Sequence, residues 1–127
     1  ATLKSEAPID AVIGFSMGSN LASVLAARAC LGIGPPLRCV VHLSPAGFPP
    51  DFLKQVPTLF TAKLPIPALV SHGIQEPFPI DWIADLYASP EIDQHSEGHR
   101  PLPADVTEAR ALARRIKNFV IQNARVV

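Results

Sequence analysis

No stretch of this sequence stays apolar for anything near the roughly 18 residues that span a bilayer, so no membrane-crossing helix is expected. The opening residues, Ala1 to Pro8, lack the charged start and apolar core of a secretory leader. Net charge is also missing: 11 Lys and Arg stand against 11 Asp and Glu, so neither a basic footprint for nucleic acid nor an acidic tail is present. Neither Cys-x-x-Cys nor His-Glu-x-x-His occurs, and no metal or other cofactor is expected. The two cysteines, Cys30 in a helix pattern and Cys39 in a strand pattern, suit buried thiols in a reducing compartment better than a disulfide. They point to a cytoplasmic location.

What remains is globular. A hydrophobic content of 48% over 127 residues fits one domain, residues 1–127, with a single core. The prolines cluster between Pro35 and Pro103 and break the middle of the chain into short pieces, outside the two best helix candidates.

The chain is organised around Ala11-Val12-Ile13 and the Gly14-Phe15-Ser16-Met17-Gly18 that follows. The apolar run reads as a strand covered on both faces, and a helix from about Met17 to Cys30 comes after it. Strand, Gly-x-Ser-x-Gly, helix is the context of a nucleophile elbow, in which the serine takes a strained conformation and the glycines allow close strand–helix packing. The plainer alternative is a glycine-lined turn with Ser16 as a helix cap. In the helix, Leu21, Val24 and Leu25 share one face, and Ala22, Ala26, Ala27 and Ala29 permit close approach to a sheet.

Further apolar strands are expected at 38–43 and 67–72, a loop or small cap at 49–65, a helix over about 80–87 and a short strand at 91–95. His42 reads as a packed strand residue. A last helix spans about Val106 to Asn123, with Asp105 and Glu108 as a capping box and Val106, Ala109, Leu112, Ala113, Ile116 and Val120 as its buried stripe. Strands alternating with helices imply an α/β fold: a parallel sheet of about four strands with flanking helices.

In such sheets the site gathers at the carboxyl ends of the strands. Ser16, Glu76 and His99 stand at three such ends, in the chain order nucleophile, acid, base, which is the α/β-hydrolase order. Ser16 needs a neighbouring imidazole to take its proton, His99 is the candidate base, and Glu76 would hold its tautomer. The amide of Met17, at a helix start, is the candidate oxyanion donor. Asp81 is the rival acid, although it reads better as the N-cap of the 80–87 helix.

On these residues the chain resembles the C-terminal part of an FSH-type serine hydrolase, an α/β-hydrolase family of compact esterases and thioesterases. The matching stretches are Gly14 to Gly18, Leu43 to Pro50, His72-Gly73-Ile74-Gln75-Glu76 and His95 to Pro103. The resemblance implies a Ser16–His99–Glu76 triad, with Glu76 where the family usually has Asp, and no cofactor. It implies a small-molecule ester or thioester substrate, and thioesterases that release fungal polyketides are among the similar proteins. Phe48, Phe52, Phe60 and Phe78 suggest an apolar acyl pocket or serve ordinary packing, with Phe48 and Phe78 the substrate-binding candidates.

The resemblance also implies N-terminal strands and a His-Gly loop carrying a second oxyanion amide, which Ala1 to Pro8 is too short to hold. A truncated hydrolase fold is therefore expected, with the Ser16 strand as an open edge that a second copy or a partner chain completes. Two functions compete: an active ester or thioester hydrolase, and a catalytically impaired fragment or interaction module.

Overall fold

Val and Leu runs without polar alternation need cover on both faces, and the centre of this fold provides it. The computed structural model describes residues 9–46, 54 and 56–124. Its strands are β1 (Ala11–Phe15), β2 (Cys39–Leu43), β3 (Ala68–Gly73) and β4 (Glu91–His95), and its helices α1 (Gly18–Cys30), α2 (Asp81–Ala84) and α3 (Val106–Asn123). The strands form one parallel sheet in the order β1-β2-β3-β4, with Gly14 opposite His42, His42 opposite Val70 and Gly73 opposite His95. This is the four-stranded parallel α/β sheet with flanking helices that the alternation of elements predicts.

Side chains alternate across the two inner strands and divide the core in two. Val40, Ala68 and Val70 face Ala22, Ala26, Ile83 and Tyr87 on one side. Cys39, Val41, Leu43 and Leu69 meet Phe119, Ile116 and Val120 of α3 on the other. β2 is buried throughout, and only His72 of β3 is partly exposed. β1 and β4 are the edges among the described residues, and Ile13 is 53% exposed.

The small face of α1, not the large one, packs on the sheet. Ser19, Ala22, Ser23, Ala26 and Ala27 are buried, whereas Leu21 is 63% exposed. The reason is the tight strand–helix turn: a Cβ on Gly14 would stand 2.6 Å from the carbonyl oxygen of Gly18, which leaves no depth for Leu beneath the helix. Gly18 itself has open space where its Cβ would be, so of the two motif glycines only Gly14 is needed for packing. Cys30 is exposed at the end of α1, contrary to expectation; Cys39 is buried, and burial pushes its thiol up to about 11.

The helix expected over 80–87 stops at Ala84, because Tyr87 leaves the helical path to form a parallel bridge with Leu64. Leu64 N–H donates to Leu86 and Ala88 N–H to Leu64. In α3 the buried side chains are Leu112 and Phe119; Val106 and Ala113 are exposed. Asp105 accepts from the Glu108 amide at 2.9 Å, as a cap should. The reciprocal half of the box is absent, because Glu108 accepts from Ser96 N–H and the Asp105 amide donates to Glu97. The end of α3 is thereby wired to the loop after β4. No helix among the described residues is long and apolar enough to cross a membrane.

Candidate active site

Parallel strands ending side by side place their following loops in one row. β1 runs straight into Ser16, whose φ of 55° lies in the left-handed region, a conformation on the order of 1–3 kcal/mol unfavourable for a residue with a Cβ. Three backbone bonds hold it there. Ser16 N–H donates to Leu43 at 3.1 Å, and its carbonyl accepts from Ser19 at 3.1 Å and Ala46 at 3.3 Å. Ser16 is therefore no helix cap; Met17 occupies the N-cap position, its amide at the start of α1.

Glu76 comes from the turn after β3, closed by its own amide on Gly73 at 3.0 Å. Its side chain is 1% exposed. Each of its carboxylate oxygens lies 2.9 Å from His99 Nδ1. His99 Nε2 lies 2.8 Å from Ser16 Oγ. The carboxylate accepts only, so the neutral ring carries its proton on Nδ1 and offers the Nε2 lone pair to the serine hydroxyl. The structure thus brings Ser16, His99 and Glu76 into one chain of hydrogen bonds, and leaves Asp81 as an exposed first-turn residue of α2 rather than its cap.

The loop carrying His99 is strapped from several sides. Glu97 accepts from Ala104 N–H at 2.8 Å and Asp105 N–H at 2.9 Å, and these bonds hold its carboxyl below the ordinary glutamate range. Gln75 donates from its amide nitrogen to Glu97 and from its side chain to Ser96. Gly73 has no Cβ because the Glu97 carbonyl oxygen occupies that place. Ser44 Oγ donates to the carbonyl of Arg100 at 2.6 Å.

Two aromatic rings flank the imidazole. Phe15 lies 5.3 Å from it between centroids, tilted by 31°, and Phe78 meets it edge-to-face at 5.2 Å. Phe78 thus stands at the His99 ring, whereas Phe48 and Phe52 lie outside the described residues; Phe60 packs against the core with Leu59. A cavity of about 500 Å³ opens between β4 and α3, lined by Ile74, Asp93, His95, Glu108 and Arg115 among others, and none of Ser16, Glu76 and His99 borders it. Among the described residues no group of three His, Cys, Asp or Glu is placed to hold a metal ion.

The sequence alone does not announce Phe15 as a neighbour of His99, or Ser44 as a partner of the Arg100 carbonyl beside it. Phe15 carried a signal, because a residue beside an elbow serine leans over the site. Ser44 carried a weaker one, its place just after an apolar strand in a parallel sheet.

Two solved structures share this architecture. One is a CIB-like hydrolase from Thermoplasma acidophilum, with a TM-score of 0.63 and 15% identity, matched over 95% of this chain and 55% of that one. The other is a dienelactone hydrolase from Anabaena variabilis, with a TM-score of 0.61 and 18% identity, matched over 91% of this chain and 50% of that one. The chain thus spans about half the length of the hydrolases it matches. No curated protein matches it significantly. The model of the serine hydrolase (FSH1) family matches residues 1–108, and the chain belongs to that family.

Proposed function

We propose that the chain carries the catalytic machinery of a serine hydrolase that cleaves an ester or thioester of an apolar acyl group. The single observation supporting this reading is the hydrogen-bonded relay from Ser16 Oγ through the His99 ring to Glu76. As Ser16 Oγ attacks the acyl carbon, its proton passes to His99 Nε2. Glu76 stabilises the imidazolium that forms, and the developing oxyanion takes a hydrogen bond from the Met17 amide. His99 then protonates the departing alcohol or thiol, leaving an acyl-Ser16 ester. Water attacks that ester, giving its proton to His99, and the carboxylic acid leaves as Ser16 recovers its proton. No cofactor enters any step. An acyl thioester is the substrate to try beside a simple ester, because the same acyl-serine chemistry serves both. Phe78, at the His99 ring, is the candidate to meet the acyl group among the described side chains; the other sequence candidate, Phe48, lies outside them. Labelling of Ser16 by a fluorophosphonate, lost in Ser16→Ala, tests the reading; labelling that persists in that variant moves the nucleophile elsewhere.

A second reading is favoured by the β1 edge. Ile13, Phe15, Met17 and Leu21 are between 41% and 73% exposed there, beside strand groups with no neighbour among the described residues. Such an edge pairs with another strand, from a second copy or from a partner chain that also supplies a second oxyanion donor. Alone, the chain would then hydrolyse esters about a hundredfold or more below the completed protein, the usual cost of one lost donor. Sedimentation and ester hydrolysis with and without such a partner decide it. A monodisperse monomer with full activity excludes this second reading.

A further inference from the structure

The elbow serine is not the only residue in this chain with a Cβ and a left-handed backbone. Ser44, immediately after β2, has φ 43° and is 1% exposed. Glycine would take that conformation without strain, so the hydroxyl is the feature that a serine adds here. That hydroxyl donates to the carbonyl of Arg100, one peptide beyond His99, at 2.6 Å. The backbone of Ser44 is itself tied to the sheet: its amide donates to Ser71 of β3 at 2.8 Å.

The same short segment also grips the nucleophile. Leu43 accepts from the Ser16 amide, and Ala46 donates to the Ser16 carbonyl. Residues 43–46 therefore hold Ser16 by its backbone and the His99 loop by the carbonyl of the next residue, Arg100. They are a common mount at the end of a buried strand, and the 2.8 Å between Oγ and Nε2 is set across it.

We propose that Ser44 is a positioning residue that fixes the His99 ring at attacking distance from Ser16, through the hydrogen bond from its hydroxyl to the Arg100 carbonyl. The inference rests on the reading of His99 as the base. A group that acts by placing another raises the rate of the chemical step and leaves ground-state affinity alone.

The test uses the full chain with Ser44→Ala, which keeps the strain and removes the donor, and Ser44→Gly, which removes both. Two readouts are taken on folded protein: the rate and apparent affinity of fluorophosphonate labelling, and the His99 ring C–H signals in NMR, assigned by their loss in His99→Gln. Both variants should label about tenfold to a hundredfold more slowly at unchanged affinity, as expected for a base displaced by a fraction of an ångström to one ångström. Their His99 signals should broaden or split, and Ser44→Gly should be no better than Ser44→Ala despite its relaxed backbone. Wild-type labelling and wild-type His99 signals in Ser44→Gly would overturn the proposal. A wild-type chain that is not labelled at all would remove the hydrolase reading instead. The ring signals would still decide the role of Ser44, since unchanged signals in Ser44→Gly refute the tie and broadened ones support it.

Discussion

Two histidines in this fold bond a hydroxyl through Nε2, and the comparison explains why only one is suited to chemistry. His42 Nε2 lies 2.6 Å from the Tyr87 hydroxyl, and His99 Nε2 lies 2.8 Å from Ser16 Oγ. The difference is at the other nitrogen. His99 Nδ1 faces the Glu76 carboxylate at 2.9 Å. His42 Nδ1 has no hydrogen-bond partner among the described residues. The ring is fully buried, and burial drives its pKa down to about 3. The His42 ring therefore stays neutral across the ordinary pH range. Burial likewise raises the Tyr87 hydroxyl well above the ordinary tyrosine range, so the pair moves no proton near neutrality. A base needs both an acceptor for its charge and a route to solvent, and His42 has neither.

The largest expected effects fall on the His99 side. Ser16→Ala should abolish hydrolysis, and His99→Ala should lower kcat by about 10³-fold or more. The double variant should lose no more than Ser16→Ala alone, because the two act as a unit. Full addition of the two losses would break that account. Next comes Glu76→Gln, whose amide is a poorer partner for the Nδ1 proton and should cost about 10²- to 10⁴-fold in kcat. Asp81→Asn should leave hydrolysis unchanged. The reverse pattern would make Asp81 the acid.

Much of this contrast is legible in the sequence. Alternating elements predict a parallel sheet, and a parallel sheet places Ser16, Glu76 and His99 in one row of loops. Asp105 as the cap of α3 was equally plain, because capping chemistry is local. What escaped depends on depth and distance. Ala22, Ala26 and Ala27 do approach the sheet as their size allows, but Leu21, on the larger apolar face of the same helix, is left exposed. Glu108 has the spacing of a capping box, but Ser96, twelve residues away, takes its carboxylate. Tyr87 ends its helix early because Leu64 offers it a bridge. The bond from Ser44 to Arg100 joins residues 56 positions apart, which no local pattern announces.

The His42 side should respond in stability rather than rate. Its folded pKa lies below the ordinary 6.5, so the unfolded chain binds the proton more readily. Stability tied to His42 is therefore fully present above pH 6.5 and is lost as pH falls toward 3. His42→Phe should remove up to about 1.4 kcal/mol per pH unit from the slope of unfolding free energy in that window. Hydrolysis per folded molecule should stay within about twofold, because His42 bonds the Tyr87 hydroxyl and takes no part in the proposed relay. An unchanged slope would mean that His42 is not a buried neutral ring in solution.

The smallest effect belongs to Glu97. Its carboxyl is held below its ordinary 4.5 by two backbone amides, so its stabilisation is present above pH 4.5 and fades as pH falls through the lowered folded value. Glu97→Gln should flatten that acid limb slightly in a thermal-melt series and slow hydrolysis only modestly. A melting profile as steep as wild type below pH 4.5 would show that another carboxyl holds the loop.

The most direct measurement is the intact mass and peptide map of the chain after brief exposure to an activated acyl ester, quenched in acid. The account predicts one acyl group on Ser16 in the wild type and in His42→Phe, and none in Ser16→Ala or His99→Ala. Acylation of His99→Ala as fast as wild type, or an adduct on any other residue, would contradict it.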